Sequence, residues 1–161
     1  MTTLRRILLL GLLAGLAGCG FQLRGQAQLP FESAYIVSPA DSPLRARLAR
    51  SLTAGGKQLS TKAGDAQVII RLEKEIRTKE ILALSGGGKV REYRLRHQVE
   101  LSVQDKEGRD LLAPSPILAT RDFSYSDEQL LAKEAEEALL FRDMEQDILS
   151  QIQRRLAYIK R

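Results

Sequence analysis

The chain contains very little cysteine and histidine: Cys19 and His97 are the single examples among 161 residues. One cysteine cannot form a disulfide within the chain, and one cysteine with one histidine excludes a His/Cys metal site. A Ser-His-Asp triad would have to use His97, which lies among alternating apolar residues. That setting predicts a half-buried histidine with its hydrogen bonds satisfied. With no cofactor motif either, the sequence predicts a non-enzymatic protein without a cofactor or a metal.

A strong excess of charge of one sign is also absent. Lys and Arg number 25 and Asp and Glu number 20, for a formal net charge of +5. Arg5 and Arg6 contribute two of these charges and precede the region predicted to fold. Without these two arginines the net charge of the chain is only mildly positive, so no nucleic-acid partner is predicted.

No hydrophobic run is long enough for a transmembrane helix. The apolar stretch at residues 7–17 is about eleven residues, whereas about twenty are needed to cross a bilayer core. It follows Arg5 and Arg6, which is the order of a cationic and an apolar region in a secretory signal. Residues 1–18 are therefore predicted to be a signal peptide that is removed.

The end of this segment, Leu16-Ala17-Gly18-Cys19, resembles a lipobox. In proteins with this signal the cysteine thiol is acylated, with palmitate among the acyl groups, and becomes the first residue of the mature chain. An aspartate at the next position would resemble the inner-membrane retention signal, and Gly20 stands there instead. The sequence thus predicts an outer-membrane lipoprotein, anchored through Cys19 on the periplasmic side.

The mature chain is predicted to be a tether at residues 19–30 followed by a single domain at residues 31–161. A strand is expected at residues 34–38. A helix should begin at Ser42-Pro43, because serine caps helices and proline suits the first helical position. Leu44, Leu48 and Leu52 would form its apolar face, and Gly55-Gly56 would end it.

Two long alternating runs joined by a glycine turn follow. The period of two predicts antiparallel strands with one packed face and one solvated face. Both runs exceed the usual strand length, so the hairpin tip should project beyond the core. The apolar positions of the first run are Val68, Ile70, Leu72 and Ile76, and those of the second are Tyr93, Leu95, His97, Val99, Leu101 and Val103.

The C-terminal part predicts an edge strand and a long helix. Pro114 and Pro116 should interrupt the strand, which resumes at residues 117–125. Ser126 and Gln129 have the spacing of a capping box, and an apolar stripe continues from there to the end of the chain. The predicted fold is α+β: a four-stranded mixed sheet with two helices packed on one face, in the order β-α-β-β-β-α.

The polar face of the predicted hairpin concentrates positive charge. Like charges that face each other across strands are destabilising, so nearby acids or an external anion should compensate them. The candidate acids are Glu75, Glu92 and Glu100. Aligning the two apolar faces places four cations on the polar face: Arg77, Lys79, Arg94 and Arg96.

Three segments carry a resemblance to a known family. These are CGFQLRG at residues 19–25, the stretch at residues 86–94 that contains EYR, and LAKE at residues 131–134 leading to RRL at residues 154–156. In this order and spacing they resemble the LptE family of lipopolysaccharide-assembly lipoproteins. The resemblance covers essentially the whole mature chain.

The resemblance implies a function and a set of contact residues. Members of this family sit largely inside the LptD β-barrel as a plug, assist its assembly, and bind lipopolysaccharide during insertion into the outer leaflet. A lysine early in the last helix, which maps onto Lys133, is implicated in that binding. A basic residue near the hairpin tip is implicated too, for which Lys89 or Arg91 would have to serve. The hairpin cations Arg94 and Arg96 are further candidates.

Two other functions remain as alternatives. An auxiliary lipoprotein of another envelope lipid-transport system could share both the anchor and a similar domain. A lipid-anchored hydrolase is the second alternative, and the absence of a nucleophile–base constellation argues against it.

Overall fold

A computed structural model describes residues 29–159 of the chain. The predicted signal peptide, Cys19 and all but the end of the predicted tether lie outside the described residues. No helix within residues 29–159 has both the length and the hydrophobicity to cross a membrane.

The sheet has five strands in the order β2-β1-β3-β4-β5. β1 is parallel to both of its neighbours, whereas β3, β4 and β5 are antiparallel. The strand bounds are β1 Ser33–Val37, β2 Gln58–Leu59, β3 Val68–Leu84, β4 Val90–Asp105 and β5 Asp110–Ser124.

Two helices complete the domain, α1 at Pro43–Ala54 and α2 at Leu130–Ala157. The capping prediction for α1 is confirmed, since the Ser42 side chain accepts a hydrogen bond from the Arg45 amide and Pro43 occupies the first helical position. Gly55 forms the C-cap, and Gly56 follows with φ +77°, a backbone region that glycine enters without strain.

The core lies on one face of the sheet and is shared by both helices. The strands contribute alternate residues, and α1 contributes Leu44, Leu48 and Leu52. From α2 come Met144, Ile148, Ile152 and Leu156, all fully buried. The predicted α+β fold with both helices on one face of a mixed sheet is therefore confirmed.

The fifth strand, β2, is a difference from the four predicted strands. It has two exposed residues, Gln58 and Leu59, beside β1. A strand this short has no alternating pattern to reveal it. Its pairing continues through the Gln58 amide to the Glu32 carbonyl and the Ser60 amide to the Ala34 carbonyl, each 2.9 Å.

The prolines of β5 do not interrupt the strand, so the prediction of a break was wrong. Pairing with β4 passes from Leu101–Ser115 to Val103–Leu112, which leaves Pro114 in a bulge. β5 is an edge strand, where a missing proline N–H costs no ladder hydrogen bond. The strand can therefore run unbroken from Asp110 to Ser124.

The start of α2 also differs from the sequence prediction. A short 3₁₀ turn at Asp127–Gln129 precedes the helix, and Ser126 makes no side-chain capping bond. The capping box is therefore not formed. The front of the apolar stripe is solvent-exposed as well: Leu131 is 81% exposed, and Ala135 and Ala138 are also exposed. The apolar stripe is buried in the second half of α2 alone, from Met144 onwards.

Candidate functional site

A β-bulge at Lys74 decides which side chains of the hairpin face the helices. Lys74 has φ +50°, alone among the described non-glycine residues in being positive. The pairing passes from Glu73–Glu100 to Ile76–Gln98, so β3 carries one extra residue. An extra residue reverses the in–out alternation beyond it.

The reversal makes the predicted four-cation cluster wrong. Arg77 pairs with His97 and Lys79 pairs with Leu95, which places both cations on the helix-facing side of the sheet. Arg94 and Arg96 remain on the open face. Ile76, which was predicted to be on the packed face, is turned to the open face and is 51% exposed.

On the helix-facing side, the bulge creates a buried polar cluster that the sequence analysis missed. The Ser42 hydroxyl donates to Glu75 Oε2 at 2.5 Å, and Glu75 Oε1 lies 3.0 Å from His97 Nε2. Arg77 Nη2 reaches Glu145 Oε1 at 2.6 Å. Arg47 Nε approaches the other oxygen of Glu145 at 2.7 Å. The cluster thereby ties α1, α2 and the two central strands together.

The side chains of His97 and Glu75 are both shielded from solvent, at 0% and 8% exposed. His97 is fully buried, so the prediction of a half-buried histidine was wrong. Its hydrogen bonding is satisfied at Nε2 by Glu75, whereas Nδ1 has no hydrogen-bond partner among the described residues. Burial raises the pKa of Glu75, but hydrogen bonds from His97 and Ser42, with the electrostatic influence of His97 and Arg77, outweigh burial. The pKa of Glu75 therefore lies below its ordinary value.

On the open face, Arg94 and Arg96 are matched by acids. Arg94 makes two bonds of 2.8 Å to the carboxylate of Asp122. This pairing raises the pKa of Arg94 and lowers the pKa of Asp122. Arg96 lies 4.0 Å from Glu80. On this face the compensating acids are thus Asp122 and Glu80. Of the predicted acids, Glu75 lies 3.8 Å from Arg77 on the helix-facing side, whereas Glu92 and Glu100 form no ion pair with any of the four predicted cations within residues 29–159.

The hairpin tip carries two cations without such partners. The Ser85 amide donates to the Lys89 carbonyl at 2.7 Å, and Gly88 takes φ +77° to close the turn. Lys89 and Arg91 are exposed, and neither forms an ion pair with any residue between 29 and 159. Both charges are therefore available to an external anion.

Lys133 lies in the first turn of α2 and is connected to the base of this tip. Its Nζ donates to Glu136 Oε2 at 2.8 Å and to Ser124 Oγ at 3.2 Å. Ser124 pairs with Glu92, and the adjacent Tyr125 amide donates to the Arg91 carbonyl at 2.7 Å. Lys133 is therefore linked through Ser124 and Tyr125 to the strand that carries Arg91, and Lys89 follows the turn two residues earlier in the sequence. These three predicted site residues, Lys89, Arg91 and Lys133, are called here the tip cations. Arg94 and Arg96 stand apart, because Asp122 and Glu80 already neutralise them.

Lys79 is a further cation near the tip that the sequence analysis assigned to the wrong face. Its Nζ lies 4.2 Å from the ring centre of Tyr93 and also approaches Phe123 and Tyr125. The same atom pairs with Glu137 of α2 at 2.6 Å. Regular alternation gave no signal for this position, because the bulge precedes it.

Exposed aliphatic side chains accompany the tip cations. On β3, Ile81 is 58% exposed and Leu84 is 56% exposed. At the start of α2, Leu130 is 46% exposed, next to the exposed Leu131. The hairpin projects beyond the core, as predicted, and ends in a surface that combines positive charge with apolar area.

The fold and this site define a one-sided α+β domain with an amphipathic, cation-bearing tip. The sequence matches the profile of the family described as LptE, lipopolysaccharide-assembly, over residues 28–156. The chain therefore belongs to the LptE family of lipopolysaccharide-assembly proteins, which is not a known family of enzymes. The resemblance seen in the sequence is confirmed.

Solved structures agree with this membership. An uncharacterised lipoprotein B from Nitrosomonas europaea, determined by solution NMR, shares 38% identity with a TM-score of 0.74, over 86% of this chain and 90% of that one. A minor lipoprotein from Acinetobacter baumannii shares 27% identity with a TM-score of 0.66, over 81% and 93%. The rare lipoprotein B from Shewanella oneidensis, at 24% identity and a TM-score of 0.68 over 78% and 93%, has the same fold. The comparison with curated proteins gave no match.

Proposed function

We propose that this chain is an outer-membrane lipoprotein, acylated at Cys19, that plugs and helps assemble an LptD-like β-barrel. In this role it binds lipopolysaccharide during insertion into the outer leaflet. Membership of the lipopolysaccharide-assembly family supports the general role. The tip cations support the binding role.

The observation that carries the binding proposal is that unpaired positive charges and exposed apolar side chains occur together at the hairpin tip. Lys89 and Arg91 lack acid partners in the described chain. Val90, which separates them in the sequence, is the strand-pairing partner of the exposed Leu84. Lipid A has phosphate groups beside its acyl chains. Lysine and arginine donate charge-assisted hydrogen bonds to phosphate, and aliphatic side chains can cover acyl chains.

The open face of the sheet supports the proposed position in a barrel. Its cations Arg94 and Arg96 are paired with Asp122 and Glu80, so the polar part of this face carries little net charge. The lumen of an outer-membrane barrel is polar too. A rigid sheet with this surface could lie against the lumen wall without burying unpaired charge.

A charge reversal tests the binding proposal. In the double variant Lys133→Glu with Arg91→Glu, affinity for lipopolysaccharide should fall by at least about tenfold, which corresponds to about 1.4 kcal/mol. Binding of the wild-type mature lipoprotein should also weaken with added salt. Titration with purified lipopolysaccharide measures both effects, and circular dichroism verifies that the variant is folded.

Two further variants make this test specific. Lys89→Glu with Arg91→Glu changes only exposed side chains, so it also reports on binding if replacing Lys133 disturbs the fold. Lys62→Glu with Lys106→Glu makes the same charge change at exposed positions near the other end of the sheet and should bind as the wild type does. Full affinity in both tip variants would contradict the proposal.

The proposed partner is tested by co-purification. The full-length lipoprotein, tagged at its C-terminus, should capture an LptD-like barrel from detergent-solubilised outer membranes. Capture of the machinery of another lipid-transport system without such a barrel would favour the auxiliary-lipoprotein alternative instead.

A further inference from the structure

Lys133 differs from the other tip cations in how its charge is held. Its side chain is only 13% exposed, whereas Lys89 and Arg91 are open to solvent. The ammonium has three N–H donors, of which Glu136 and Ser124 take two. Glu136, in contrast, is 45% exposed. The Lys133 side chain is thus packed against its neighbours, whereas the Glu136 side chain that pairs with it is open to solvent.

The ion pair between these two residues is of a weak kind. Lys133 precedes Glu136 by three positions, and a helical pair with the acid first is the more favourable order. The glutamate side of the pair is 45% exposed, so water screens the pair from that side and holding the Glu136 side chain in place costs entropy. A phosphate offers more acceptor oxygens and up to two charges, so it can replace a single exposed carboxylate on Lys133.

We infer that Glu136 is an internal competitor for Lys133: a phosphate group of lipid A must displace the Glu136 carboxylate before it can bind that lysine. This inference rests on the proposed lipopolysaccharide-binding function and adds a residue that sets its affinity. Without an anion, the carboxylate of Glu136 neutralises Lys133 and repels other negative groups. With a phosphate in place, Glu136 turns to solvent while the buried stem of Lys133 keeps its position.

Neighbouring acids of α2 provide a matched control. Glu134 is adjacent to Lys133 in sequence and exposed, but it forms no ion pair with any other described residue. Glu134→Gln therefore removes the same charge from the same helix turn without releasing Lys133. Any general electrostatic effect of losing an acid appears in both variants, and only the competitive effect is specific to Glu136→Gln.

The test measures binding of the mature lipoprotein to phosphatidylcholine vesicles that contain bis-phosphorylated lipid A, with dephosphorylated lipid A as the second probe. Glu136→Gln should bind the phosphorylated vesicles at least about threefold more tightly than the wild type, the effect expected from removing one partly exposed competing carboxylate. Glu134→Gln should change affinity clearly less. In a Lys133→Met background, Glu136→Gln should have no effect, because the competed cation is absent.

The possible results separate this inference from the proposed function. If the wild type binds phosphorylated vesicles but Glu136→Gln binds equally or more weakly, Glu136 orients Lys133 instead of competing for it, and the inference is wrong. If Glu136→Gln gains affinity even with Lys133→Met, the effect does not act through this lysine, and the inference is again wrong. If neither the wild type nor Glu136→Gln distinguishes phosphorylated from dephosphorylated lipid A, the proposed binding function itself fails.

Discussion

At the scale of single residues, the bulge at Lys74 decides which hairpin side chains face the helices and which face the open side of the sheet. Strict alternation puts Glu75, Arg77 and Lys79 on the solvated face, and that is what the sequence predicts. The bulge turns them towards the helices, where Glu75 meets His97 and Lys79 meets three aromatic rings. A bulge shifts the strand register by one residue, and no pattern of apolar and polar residues marks its position. The sequence therefore could not reveal this cluster.

Glu75 should make the stability of the domain depend on pH. Its pKa in the folded state is lowered, so its stabilising contribution is complete above the ordinary glutamate pKa of about 4.3 and is lost as the pH falls below it. In Glu75→Gln this contribution is absent at every pH. The free energy of unfolding should drop by about 1–3 kcal/mol at neutral pH, and it should decline less steeply on acidification.

Urea denaturation at a series of pH values measures this prediction. Glu73→Gln is the control, since Glu73 lies on the same strand but half its side chain is in solvent. That variant should keep the pH dependence of the wild type. A wild-type slope in Glu75→Gln would show that Glu75 does not contribute to the acid sensitivity.

At the scale of elements, α2 consists of two differently stabilised halves. Its second half is buried through Ile148, Ile152 and Leu156. Its first half is connected to the hairpin by ion pairs such as Lys79–Glu137. The stripe in the sequence continues through both halves, so periodicity predicted the helix but not the place where burial ends. That place depends on how far the sheet extends beneath the helix, which is a tertiary property.

The two halves of α2 should respond differently to the same substitution. Ile148→Asp buries a carboxylate in the core and should destabilise the domain by more than about 4 kcal/mol, enough to unfold a marginally stable protein. Leu139→Asp introduces the same group at a position that is 57% exposed, and it should change stability by less than about 0.5 kcal/mol. Thermal denaturation followed by circular dichroism compares them. Equal melting temperatures would contradict the division of α2.

At the scale of the whole molecule, the fold was more predictable than the site. The one-sided core follows from the apolar faces of Leu44, Leu48 and Leu52 in α1 and of alternate residues in the strands. The tip cations Lys89, Arg91 and Lys133 were identified through the family resemblance, and contacts through Ser124 and Tyr125 link Lys133 to the strand that carries Arg91. Which of the hairpin cations are already neutralised depended on the long-range partners Asp122 and Glu80, and sequence spacing contains no information about such partners. The partner of Lys133, in contrast, is Glu136 of the same helix, three positions further on.

The lipid anchor at Cys19 stays a prediction, because Cys19 lies outside the described residues. Cys19→Ser removes the thiol that would accept the acyl chains, and each buried methylene of such a chain contributes about 0.8 kcal/mol to membrane binding. The variant should therefore either leave the membrane fraction or keep its signal peptide. Its domain should still fold, since the core begins at Phe31. Mass spectrometry of the N-terminus and membrane fractionation measure these outcomes.

A second substitution separates anchoring from placement in the envelope. Gly20→Asp introduces the residue that resembles an inner-membrane retention signal, so this variant should be acylated normally and should accumulate in the inner membrane. Gly20→Ser is its control and should reach the outer membrane like the wild type. If Cys19→Ser is still acylated, the lipoprotein prediction is wrong. If Gly20→Asp is acylated and still reaches the outer membrane, position 20 does not direct sorting, and outer-membrane placement would have to be established by fractionating the wild-type protein.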